Sequence, residues 1–149
     1  MRVDGQIDID RPAADVFAFV SDQMNAPAWQ KGLVEVKRLT DGPIGVGTRH
    51  TFVRKVAGRK MAADNEYHEY LPDRRVAFRI ISGSMPGGGS YDVEPLSPYR
   101  TRVATSVELY PTGLARLTEP LMSRTIRKEV DGNLAALKEL LERSDQRAS

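Results

Sequence analysis

The sequence predicts an α+β protein in which a curved, seven-stranded antiparallel sheet wraps around one long C-terminal helix, with two short helices after the first strand. Three observations carry this prediction. Apolar and polar residues alternate with period two in run after run up to Leu109. Turns rich in Gly and Pro separate these runs, leaving no room for crossover helices. From Leu114 to Leu141 the apolar residues instead recur at three- and four-residue steps, as on one face of a helix.

Val3 to Asp10 alternates, with Val3, Ile7 and Ile9 on one parity, and reads as the first strand. Asp10 or Arg11 then precedes Pro12, a residue suited to a first helical turn, and Asp15 lies near the positive helix end. Val16, Phe17, Phe19 and Val20 give that helix an apolar face, and it should stop by Ser21-Asp22. A second short helix is expected from Met24 to Lys31, interrupted by Pro27. Period two then returns in Leu33 to Thr40, Arg49 to Val56 and Lys60 to Tyr70. It continues through Val76, Phe78 and Ile80, through Tyr91 and Val93, and through Val103, Thr105, Val107 and Leu109. Asp41 to Gly47, Gly58, Leu71 to Arg74 and Ser97 to Arg100 supply turns, and SGSMPGGGS, from Ser82 to Ser90, reads as a hairpin loop. Thr112-Gly113 ends the strands. Pro120 either bends the long helix or marks its true start. Gly132 is a weak point in it, and the polar stretch Arg143 to Ser149 is expected to fray.

Consecutive strands joined by tight turns pair antiparallel. A sheet with one apolar face must cover it, and the C-terminal helix is the one large apolar element left. Such a grip leaves space between sheet and helix, which makes a pocket the default functional expectation.

Composition narrows the partners. The 149 residues predict one domain, with a core from about 3 to 142 and a polar C-terminal tail. A hydrophobic share of 40% and a charged share of 28% suit an ordinary globular protein. The 22 Lys and Arg against 20 Asp and Glu leave a net charge of +2, which makes no case for nucleic acid. Without Cys there are no disulfides, thiolate zinc sites or Cys nucleophiles, and a reducing compartment fits. The opening MRVDGQIDIDRP has no apolar signal core, and no run approaches the roughly 20 apolar residues of a membrane span. A soluble, cytoplasmic protein without stable membrane insertion is expected. A homodimer stays open.

Several stretches resemble the START-like superfamily, also called SRPBCC, whose fold is the helix-grip. Ile7-Asp-Ile-Asp-Arg-Pro-Ala-Ala-Asp-Val-Phe17 looks like its first strand and helix entry, and Val20-Ser-Asp22 leading to Pro27-Ala-Trp29 looks like its Asp-to-Pro-x-Trp turn. Gly42-Pro-Ile-Gly-Val-Gly47 resembles its glycine-rich hairpin. Glu69-Tyr-Leu-Pro72 and the stretch Leu134 to Glu142 resemble later landmarks. The resemblance runs from about Val3 to Glu142 and is nearest to the polyketide cyclase/dehydrase-like branch. It implies binding of a small hydrophobic molecule, such as a polyketide, lipid or quinone-like compound. The alternative it implies is a cyclase or dehydratase acting in the same pocket; whether there is catalysis stays open.

A pocket between sheet and helix would be lined by Phe17 and Trp29 from the short helices and by Phe52, Tyr67, Phe78, Ile80, Tyr91, Thr105 and Val107 from the strands. Leu117, Leu121 and Met122 would line it from the long helix. For Trp29 a core plug is the first reading and the pocket rim the second, since large aromatics bury area with or without a ligand. Acid–base candidates are His50, Arg54, Tyr67, Glu69 and Tyr91. His50 shares parity with Phe52, which points it inward. Either face of the strand from Glu66 to Tyr70 can be the inner one: Tyr67 and Glu69 share one, and Glu66, His68 and Tyr70 the other. The plainer reading of that strand is cross-strand ion pairing to Arg54 or Arg79. Thr105 can bond a ligand or merely a strand carbonyl. No metal site is expected, because His50 and His68 lack a third ligand at a fixed spacing, and no cofactor is expected. Neither Ser84 to Ser90 nor Gly45-Val-Gly47 fits a phosphate or dinucleotide loop; both read as mobile hairpins able to gate the pocket. Arg116, Arg124, Arg127 and Lys128 read as a solvated helix face.

Overall fold

The computed structural model describes residues 1–83 and 85–148, with side chains through residue 144. Seven strands form one sheet: β1 Arg2–Ile9, β2 Leu33–Arg38, β3 Arg49–Val56, β4 Arg59–Leu71, β5 Arg75–Ser82, β6 Gly87–Ser97 and β7 Arg100–Leu109. Their order is β1-β7-β6-β5-β4-β3-β2, and every neighbouring pair is antiparallel. Between β1 and β2 lie helix α1 (Ala13–Ser21) and a 3-10 turn (Gln23–Ala28). After β7 a second 3-10 turn (Gly113–Thr118) leads into helix α2 (Glu119–Ala148). The seven-stranded antiparallel sheet and long final helix match the expectation.

Local chemistry accounts for the boundaries. β3 and β4 are joined by two residues, Ala57 and Gly58, with φ of 50° and 80°, the left-handed pair a tight hairpin requires. Pro12 stands just before α1 as its N-cap rather than inside the first turn. Pro27 falls within the second short element, which is a 3-10 turn instead of an α-helix. Pro120 is the second residue of α2, where its missing N–H needs no partner, so it marks the helix start. Leu114 and Leu117 therefore sit in the 3-10 turn before α2, and the single helix expected from Leu114 is corrected.

Two further expectations change. The predicted loop Ser82 to Ser90 is mostly strand: β5 runs to Ser82 and β6 begins at Gly87. Ser84, inside that predicted loop, lies outside the described residues. The glycine run is strand because β5 leaves no room for side chains there. A Cβ on Gly88 would collide with the Phe78 carbonyl, and one on Gly89 would come within 2.9 Å of Phe78 Cζ. The stretch expected to fray continues helically to Ala148; Ser149 lies outside the described residues.

The core sits where α2 lies along β1. Val3, Ile9 and Val103 pack with Val130, Leu134, Leu137 and Leu141, and α1 adds Val16, Phe17 and Val20. The closest approach is at Gly5: an added Cβ would stand 2.8 Å from Val130 Cγ1 and 3.1 Å from Leu134 Cδ1. Polar anchors follow the same line. Arg127 Nη1 donates to the Asp4 carbonyl (3.4 Å), Lys138 Nζ to that of Asp8 (2.9 Å), and Arg11 Nη1 to that of Leu141 (2.7 Å). The opposite flank of α2 meets the far side of the curled sheet through polar contacts. The Lys31 N–H donates to Asn133 Oδ1 (3.0 Å), and Arg54 Nη1 to Glu129 Oε1 (3.2 Å). Between the two lines of attachment lies the concave face of the sheet.

Replacing Gly5 with Val should overpack this contact and cost about 2 kcal/mol. Urea unfolding would show a lowered midpoint; an unchanged one would refute the close seat.

Candidate functional site

The concave face carries a chain of rings. Trp29, which ends the 3-10 turn before β2, meets Tyr91 of β6 edge-on with centroids 5.9 Å apart. Tyr91 neighbours Phe78 of β5 at 6.4 Å, and Phe78 is met edge-on by Phe52 of β3 at 6.4 Å. Tyr67 of β4 lies 6.5 Å from Phe78, and His50 lies 5.6 Å beyond Tyr67. Strand alternation puts these side chains on one face. Gly89, opposite Phe78 in the register, leaves the space that the Phe78 ring occupies. The wall is open at one end: Phe52, Phe78, Ile80, Tyr91 and Val107 are half-buried, whereas Tyr67 and His50 are fully buried.

A polar chain crosses this wall. Arg54 Nη2 donates to Gln30 Oε1 (3.1 Å), and Gln30 Nε2 donates to the Tyr91 hydroxyl (3.1 Å). Glu129 of α2 holds the other arm of Arg54. A half-buried guanidinium is thereby fixed at the edge of an aromatic surface, beneath the N-terminal half of α2. Burial pushes the Tyr91 phenol up to about 12, against the opposing effects of the Arg54 charge and the Gln30 hydrogen bond. Tyr91 therefore keeps its proton at neutral pH and, while accepting from Gln30, retains an O–H to donate.

The acid–base candidates separate in space. Tyr67 is a structural post: its hydroxyl donates to the Ser21 carbonyl, and burial raises its pKa strongly. A register shift between Tyr67 and Glu69 inserts one extra residue into β4. Tyr67 and Glu69 thus do not share a face, which corrects the expected Tyr–carboxylate pairing. Glu69 turns to Arg75 (2.9 Å) on the convex side, while Tyr70 packs on Phe17 with centroids 5.5 Å apart. Glu66 pairs with both Arg49 and Arg79; of the two partners the plainer reading offered, Arg79 is taken, and Arg54 pairs with Glu129 instead. His68 is exposed, whereas His50 is fully buried. Burial and the Arg38 charge hold the His50 imidazole below its ordinary 6.5, with Asp22 pulling the other way.

Other predicted lining residues also move. Phe17 is buried among core side chains, and Thr105 donates its hydroxyl to the Ser90 carbonyl (3.0 Å). Leu117 and Leu121 are 80% and 69% exposed, because the 3-10 turn and the start at Glu119 shift the phase of the apolar stripe. Met122 is half-buried and Ile126 packs toward the core, so the wall is roofed one turn further along. Gln30 and Glu129 escaped the sequence reading; Gln30 follows Trp29 directly, but no sequence spacing pairs Glu129 with Arg54. Two depressions of about 330 and 360 Å³ lie on the convex face, lined by charged residues such as Arg2, Asp4, Arg75, Arg79 and Asp92. Ion pairs already engage these residues: Arg2 with Asp4, Arg75 with Asp92 and Arg79 with Glu66. Among the described residues no group of three or more His, Asp or Glu could hold a metal ion, and no helix is long and apolar enough to cross a membrane.

A family model described as "Polyketide cyclase / dehydrase and lipid transport" matches residues 1–142. The chain belongs to this family. No curated protein matches it. Among solved structures, TTHA0849 from Thermus thermophilus superposes with a TM-score of 0.80 at 20% identity, covering 93% of this chain and 95% of that one. The Zhui aromatase/cyclase from Streptomyces sp. R1128 gives 0.80 at 16% identity, covering 96% and 94%. A START superfamily protein from Mycobacterium smegmatis gives 0.70 at 14% identity, covering 99% of each. At these identities the likeness establishes the helix-grip fold.

Two outcomes follow for the buried end of the wall. Tyr67→Phe leaves the Ser21 carbonyl without its donor and should lower stability by about 1–3 kcal/mol in chemical unfolding. The His50 imidazole titrates lower in the folded chain than in the unfolded one, so its contribution to stability is complete above pH 6.5 and is lost as pH falls below that value. Ordinary carboxylates, at 3.8 and 4.5, titrate lower still. Between pH 7 and 5.5 unfolding free energy should therefore decline, and His50→Leu should flatten the decline; equal slopes would remove His50 as its source.

Proposed function

We propose that this protein binds a small, mostly apolar molecule of the polyketide, lipid or quinone-like kind on the concave face between β3–β6 and the N-terminal half of α2. The observation that carries this reading is the aromatic wall of half-buried Tyr91, Phe78 and Phe52, bordered by the buried Trp29, roofed by α2 and left incompletely covered. Apolar area of that kind, bordered by a few placed polar groups, is the usual make-up of a ligand site. Arg54 and Tyr91 supply the polar groups, and both can donate to a carbonyl oxygen on a bound ring or chain.

The same two donors support a second reading, cyclase or dehydratase chemistry. A carbonyl polarised by Arg54 and the Tyr91 O–H acquires more acidic neighbouring C–H bonds; with water as the base that takes the proton, the enolate carbon of the held chain adds to a second carbonyl, whose alkoxide takes a proton back from water. In that reading Arg54 and Tyr91 are the catalytic residues, and His50, fully buried at the inner end of the face, is not.

Native mass spectrometry of protein purified gently from its own host, followed by extraction, tests the first reading. A discrete apolar adduct is expected, and it should fall at least about tenfold in occupancy in Phe78→Glu, which puts a charge in the wall. Adduct retained in full by Phe78→Glu would place the ligand elsewhere. Loss of water from the extracted compound with the wild type, but not with Arg54→Met, would favour the enzyme.

A further inference from the structure

One row of side chains on the concave face is used by neither reading above. The strand registers set Arg38 of β2 opposite His50 of β3, and His50 opposite Asn65 of β4. His50 and Asn65 are 0% and 1% exposed. Both imidazole nitrogens, both amide atoms of Asn65 and Arg38 Nε have no hydrogen-bond partner among the described residues. Native interiors hold few such groups, and five atoms in a single row mark a place built to meet something polar. The buried Gln23 Oε1 is in the same condition.

We propose that Arg38, His50 and Asn65 form a polar subsite at the inner end of the concave face, which takes a neutral hydroxyl or ketone oxygen of a mostly apolar ligand. This rests on the ligand-binding reading given above. Position supports it: the next inward-facing pair along β3 and β4 is Phe52 and Ala63, both half-buried, and half-buried Ile80 stands opposite Asn65. The row thus borders the open wall. Chemistry selects the group. A neutral imidazole offers one donor and one acceptor, the Asn65 amide offers both kinds, and Arg38 Nε is a donor. Arg38 already gives another nitrogen to the Gly42 carbonyl. Arg38 is the row's one charged member and Asp22 acts on the imidazole against it, while the mixed donors and acceptors of His50 and Asn65 suit a neutral oxygen.

The test uses the full chain and two probes of one shape, naphthalene and 2-naphthol, by equilibrium dialysis. Naphthalene reports the apolar wall alone. The wild type should bind 2-naphthol about tenfold more tightly than naphthalene, and Asn65→Leu or His50→Leu should cut that preference to within about twofold while naphthalene binds as before. If naphthalene binds but 2-naphthol gains nothing, or if the preference survives in both variants, the subsite is overturned and the cleft stands. If neither probe binds, the cleft reading fails and the subsite with it. Should a variant not fold, the wild-type His50 ¹⁵N resonances decide, assigned against the exposed His68. A shift with 2-naphthol that naphthalene does not produce supports the subsite, and its absence overturns it.

Discussion

The contact between α2 and β1 at Gly5 governs the rest of the structure. With no side chain there, Val130 and Leu134 rest on the strand backbone, and the helix sits as deep along that edge as packing permits. Depth on one side fixes height on the other. The sheet must then curl until β3 and the turn before β2 reach Asn133 and Glu129 from the far flank. The space under the helix is what this geometry leaves over, and its width is set by a missing methyl group rather than by any residue that lines it.

The two flanks differ in kind. Along β1 the attachment is a close-packed apolar seam, edged by charged side chains that donate to backbone carbonyls. Across the wall it is a guanidinium shared by a carboxylate and an amide, partly exposed and of small net worth to stability. A structure held firmly on one side and lightly on the other can give way on the light side without unfolding. That asymmetry places the adjustable edge of the cleft at Arg54, where the polar groups that could read a ligand also stand.

Much of this was legible in the residues. Period-two alternation in β3, β5, β6 and β7 assigns Phe52, Arg54, Phe78, Tyr91 and Val107 to one face, and the apolar stripe from Ile126 to Leu141 assigns α2 to cover it. What was illegible has local causes. The extra residue in β4 flips Glu69 away from Tyr67, and an alternating pattern does not announce a bulge. Three consecutive glycines read as a loop until Phe78 is seen to need the space above them. Pro120 had two roles open, and the choice between them decides whether Leu117 and Leu121 face the wall or the surface. Asn65 was readable in principle, as an amide on the same parity as Tyr67. Its meaning emerges only beside His50 and Arg38, three strands that no sequence spacing connects.

Trp29 is the chain's single tryptophan, and it sits edge-on to Tyr91 at the border of the aromatic wall. Indole emission depends on the polarity and the quenching groups around the ring. A molecule that displaces water from the wall, or that shifts the Tyr91–Gln30–Arg54 chain, changes those surroundings. The protein thus carries its own optical gauge of occupancy, undiluted by any other tryptophan and readable without a label.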